Sequence, residues 1–80
     1  MPSNAGGMGR RGWRVLESIQ AVDGLYCVDL FIDAAGDHGW AHFRTDPEDG
    51  GAWTLLTRSA EGFSSMADAR TDAAETIRWL

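Results

Sequence analysis

His38 and His42 stand four residues apart, the spacing at which two imidazoles on a helix can share one zinc ion. On an extended strand the same spacing separates them by about 13 Å, too far for an ion that holds nitrogen at about 2.0 Å. Residues 38–44 alternate in the manner of a strand, so the histidines are expected to pair with carboxylates and to hold no metal. Asp46, Glu48 and Asp49 offer oxygen ligands, but the EF-hand spacing and its closing glutamate are missing, which leaves a solvated turn. Gly6, Gly7 and Gly9 lack the preceding strand and following helix of a phosphate loop. Cys27 is the only cysteine, so no intramolecular disulfide forms, and a lone thiol fits a reducing compartment. None of these groups implies a cofactor.

The elements that must position these residues are short. Residues 1–12 carry four glycines, a proline and Arg10–Arg11 without apolar periodicity, and are expected to form a disordered N-terminal tail. Residues 13–80 then form a single domain. Residues 13–21 alternate as a first strand and 25–33 as a second, joined at Asp23-Gly24, a dipeptide suited to a two-residue hairpin turn. A turn around Gly36 leads to a third strand over 38–44, and Asp46 to Gly51 turn the chain into a fourth over 52–58. Met66, Ala69, Ala73, Ile77 and Leu80 recur every three or four residues, the mark of an amphipathic helix, with Ser65 and Asp68 placed as its cap. The fold class is therefore α+β: a three- to four-stranded antiparallel meander sheet packed on one C-terminal α-helix.

Turn geometry fixes register, and register assigns faces. A turn centred on Asp23-Gly24 sets Ile19 beside Val28 and Val15 beside Ile32; a turn centred between Ala35 and Gly36 sets Val28 beside Phe43. The helix is then expected to cover Val15, Ile19, Val28, Leu30, Ile32 and Phe43, with Glu17 pointing awkwardly at the same core. The other face reads as cross-strand rows: Arg14, Asp33, His38; Leu16, Phe31, Trp40; Ser18, Asp29, His42; Gln20, Cys27, Arg44. In the third row the carboxylate lies between the serine and the imidazole, the wrong order for a catalytic triad. Arg44 beside Cys27 would lower its thiol pKa, though a half-buried packing role for the thiol is the simpler reading. The second row is an apolar strip that the helix leaves open, so the expected interaction face is Leu16, Phe31, Trp40, Asp29, His42 and Arg44.

The chain carries twelve acidic residues against seven arginines and no lysine, a formal charge of −5. From residue 15 onward four arginines face twelve acids, or −8, a balance that repels nucleic acid and anionic membrane and attracts basic protein surfaces. No apolar run long enough to span a bilayer occurs, and no apolar segment follows Arg10–Arg11 to make a secretory signal, so a cytoplasmic location is expected.

Residues 61–69, Glu61-Gly62-Phe63-Ser64-Ser65-Met66-Ala67-Asp68-Ala69, resemble the closing motif of the YegP-like family of small bacterial proteins. The family carries a basic residue where Met66 stands and a Gly-Ile pair where this chain has Asp72-Ala73. The resemblance implies a short antiparallel sheet against one helix and pairing of such units, with no activity. The order of elements is also similar to three-stranded DNA-binding domains, but those carry Arg and Trp on the sheet face where this chain carries Asp29 and Asp33. The leading expectation is a non-enzymatic protein-binding module that self-associates as a homodimer through the uncovered face, without cofactor. An acidic inhibitor or decoy of a basic nucleic-acid-handling protein, of the phage-antagonist type, comes second, and a small enzyme third.

Overall fold

The computed structural model describes residues 12–80, so the tail expected over 1–12 lies, Gly12 apart, outside the described residues. Four strands, β1 (Trp13–Gln20), β2 (Tyr26–Asp33), β3 (His38–Asp46) and β4 (Ala52–Arg58), form one antiparallel sheet in chain order, followed by α1 (Met66–Thr76). This is the α+β meander with one C-terminal helix that the pattern predicts. No helix among the described residues is long and apolar enough to cross a membrane.

The helix starts where its cap does. Ser65 is extended, and its Oγ accepts the Asp68 N–H at 3.1 Å, satisfying one of the amide donors that a first turn leaves over. Ala69 and Ala73 are fully buried, and their short side chains bring α1 close to β2 and β3. The apolar period continues to Leu80, but the helix stops at Thr76, because Ile77 turns extended and directs the chain back toward the sheet. Glu17, awkward in sequence, reaches the helix and pairs with Arg70 at 2.5 Å in the open.

The first hairpin keeps its expected register through a different turn. Gly24 N–H bonds Ala21 C=O at 2.9 Å, and no described residue other than glycine has a positive φ, so the loop is the four residues 22–25. A four-residue loop has the same centre as Asp23-Gly24, so Ser18, Ile19 and Gln20 still oppose Asp29, Val28 and Cys27. Farther along β1 a bulge at Leu16 shifts the pairing, and Val15 opposes Phe31 where Ile32 was expected. Val15 therefore leaves the helix side.

The second hairpin corrects the expected faces. Asp33 N–H bonds Asp37 C=O at 2.9 Å, Gly36 N–H bonds Asp33 C=O at 3.0 Å, and Gly36 has φ 89°. That is a three-residue loop with glycine in its left-handed position. The Asp33 carboxylate locks it by accepting the N–H groups of Ala35 and Asp37. An odd loop moves the register by one residue, and every β3 side chain changes face. Leu30 now opposes Trp40 and Val28 opposes His42, while Phe31 opposes Gly39 and Asp29 opposes Ala41.

Two apolar layers result. On the helix side Val28, Leu30 and Trp40 pack against Ala69, Ala73 and Ile77, and the Trp40 indole donates to Asp72 of α1 at 2.8 Å. On the helix-free side lie Trp13, Phe31, Ala41 and Phe43, with Val15 and Trp53 against them. Trp13 stacks on Phe31 with ring centroids 3.9 Å apart, and the Arg58 guanidinium stands 4.9 Å from the Trp13 ring. Gly39 makes room for this stack. A Cβ there would lie 2.7 Å from Phe31 Cζ and 2.8 Å from Ser59 Oγ. A second bulge, at Leu56, interrupts β4.

Candidate interaction face

The corrected register disperses the expected face. Trp40 is 2% exposed and sits beneath α1; Phe31 is 2% exposed on the opposite side of the sheet; Leu16 is exposed at the β1 bulge. These three side chains form no strip. Asp29 is buried on the helix-free side, whereas His42 and Arg44 follow Trp40 on the helix side, Arg44 exposed and opposite Tyr26. The single-residue shift at Gly36 moves Trp40, His42 and Arg44, and the β1 bulge displaces Leu16.

The shift at Gly36 also separates His42 from Ser18 and Asp29, and Arg44 from Cys27. His42 lies across the sheet from Ser18 and Asp29, so no relay joins the three. Asp29 accepts from Ser18 Oγ at 2.5 Å and from Cys27 Sγ at 3.3 Å, which leaves it a buried acceptor fixed by its neighbours. Cys27 opposes Phe43 rather than Arg44, so no cation lowers its thiol. Burial, and then the adjacent Asp29 carboxylate, push that thiol up to about 12, far from a nucleophile's range. His38 opposes Ile32 rather than Asp33, and its backbone pairs with Phe63 through two 2.8 Å bonds.

His42 is held as an acceptor. The Trp79 indole N–H donates to its Nε2 at 3.1 Å, and burial lowers the imidazole below its ordinary value of 6.5. The rings of Tyr26 and Trp79 flank it at 5.7 and 5.8 Å.

What the register brings together instead lies at the end of the helix-free face nearest the β1–β2 and β3–β4 turns. Thr45 N–H bonds Leu25 C=O at 2.9 Å, Thr45 opposes Trp53, and Leu55 opposes Phe43 on the next row. Leu25 and Leu55 are 39% and 37% exposed, Trp53 is half-buried, and Val22 projects fully from the adjoining turn. The two turns beside this patch carry Asp23, Asp46 and Glu48, and neither 21–25 nor 45–53 contains an arginine or lysine. Asp46 is fixed in the turn, its Oδ1 accepting the Glu48 N–H at 3.0 Å. The sequence did not single out Leu25, Trp53 and Leu55, because adjacent leucines at 55 and 56 let either side of β4 face inward. Only the bulge at Leu56 decides between them.

No family model, curated protein or solved structure matches the chain.

Proposed function

We propose that this protein is a non-enzymatic protein-binding module that docks through the turn end of its helix-free sheet face, onto a partner with an apolar centre and basic flanks. The observation that supports this reading is the uncharged row of Leu25, Thr45 and Trp53, with Leu55 on the next row, at the end of the sheet whose turns carry Asp23, Asp46 and Glu48. Interface centres are poor in charge and rich in aromatic residues, and a charged rim selects the partner and speeds its approach. The rest of the molecule is acidic too, so basic surfaces of nucleic-acid-handling proteins are the class of partner that the charge favours.

Self-association through this face is the weaker alternative. Parallel stacking of two copies sets the acidic turns against each other, and antiparallel stacking brings them to the far end, where Asp33 and Asp37 stand beside the cation of Arg58 over Trp13. A photo-crosslinking residue placed at Leu55, with one at the exposed helix position Ala74 as control, separates the readings. The expected adduct joins Leu55 to a different protein, beside arginine or lysine, and its yield falls as salt is raised. Adducts only with a second copy, or equal capture from Ala74, would overturn the proposal.

A further inference from the structure

Trp79 and Leu80 of the stretch after α1 pack against the helix-side layer, and among the described residues one side-chain hydrogen bond ties that stretch to the sheet. Ile77 is buried in the helix-side layer, Leu80 N–H returns to Ile77 C=O at 3.2 Å, and between them the Trp79 indole N–H reaches His42 Nε2 on β3. An imidazole nitrogen accepts a hydrogen bond only without its own proton, so this contact requires neutral His42 with the proton on Nδ1. Adding a proton to Nε2 sets two N–H donors against each other.

We propose that residues 78–80 form a pH-released strap: protonation of His42 removes the acceptor that holds Trp79, and the strap lifts from β2 and β3 to uncover Tyr26 and His42. The surroundings of the imidazole favour release over accommodation. Tyr26 of β2 and Thr57 of β4 are uncharged neighbours, and on β3 itself the next residue on that side is Arg44, a cation. Of the nearby ionisable groups on other elements, Glu17 of β1 is engaged with Arg70 of α1, Asp72 of α1 is engaged with the Trp40 indole, and Arg78 of the strap is another cation. Among the described residues no carboxylate bonds His42, so nothing holds an imidazolium in place. Burial, which lowers the imidazole pKa, acts in the same direction: the docked strap is favoured at neutral pH and lost on acidification.

The test is a proton–nitrogen NMR titration of the whole chain from about pH 8 to about pH 5. The expected result is that the Trp79 indole N–H and the Leu80 amide shift, and lose exchange protection, with the midpoint of the His42 ring protons, below about 6.5. The Trp40 indole, whose acceptor is a carboxylate, stays unmoved and serves as the internal reference. In His42→Gln a side-chain carbonyl can accept the same bond at every pH, so Trp79 should then remain fixed throughout. A His42 titration that leaves the Trp79 indole unchanged overturns the proposal, as does release of Trp79 at the same midpoint in His42→Gln. If that variant fails to fold, the wild-type comparison of Trp79 with Trp40 still decides.

Discussion

Gly39→Ala tests the register on which every assignment of faces depends. In the wild type the Phe31 ring is held between the bare Gly39 backbone and the Trp13 ring stacked at 3.9 Å. An added Cβ meets Phe31 Cζ at 2.7 Å and Ser59 Oγ at 2.8 Å, both inside contact distance. Neither neighbour retreats cheaply, since Phe31 is backed by Trp13 and Ser59 Oγ accepts the Trp40 amide. Overpacking of this kind costs about 1–3 kcal/mol. Alanine recovers about 0.4–1 kcal/mol by restricting the unfolded chain. From the middle of each range the net loss is about 1 kcal/mol, with an upper bound of about 2.6, and 1 kcal/mol is roughly 4–8 °C in Tm for a domain of this size. Thermal and urea denaturation followed by circular dichroism read it directly, with an unchanged m value showing that the two end states are the same. Phe31→Leu removes the ring atoms that clash, so in that background the cost of Gly39→Ala should shrink by about 1 kcal/mol. Gly39→Ala as stable as wild type, in either measurement, would refute the pairing of Phe31 with Gly39 and with it the two-sided core.

Two further outcomes follow from local chemistry. Ser65→Ala leaves the Asp68 amide without its cap and should cost about 1 kcal/mol, read as a lower urea midpoint. Native Cys27 should resist alkylation near pH 8 and react only as urea unfolds the chain. Its folded pKa of about 12 lies above the ordinary 9.0, so the folded state keeps a proton that the unfolded state releases. Stability from this source is complete below pH 9.0 and falls as the pH rises toward 12; Cys27→Ala should flatten that fall, and an unchanged slope would contradict it.

The sequence was legible wherever a local rule decided the structure. The Ser65 cap with Asp68, the burial of Ala69 and Ala73, and the chain order of the strands follow from side-chain chemistry and period. The first hairpin was legible for a weaker reason: loops of two and four residues share a centre, so the wrong turn gave the right register. At Asp33 that tolerance disappears, because loops of odd and even length place opposite sides of the next strand on the core. A readable signal was present, aspartate at the first turn position and Gly36 at the fourth, the preference of a type I turn. Tryptophan at 40 could fill either face, so hydrophobicity alone did not arbitrate. The bulges at Leu16 and Leu56 left no composition signal, and they set which side of β4 carries Leu55.

Those two bulges fall on the two outer strands of the sheet. Each divides its strand, β1 into 13–15 and 17–20, β4 into 52–55 and 57–58, so neither rim has more than four residues in one uninterrupted register. A growing fibril needs identical segments of about six or seven residues to stack flat upon one another. Exposed leucines at the breaks would otherwise make both rims adhesive, and the kinks deny an incoming strand a straight template. The sheet can therefore keep an apolar patch in contact with water while its margins discourage runaway stacking of copies.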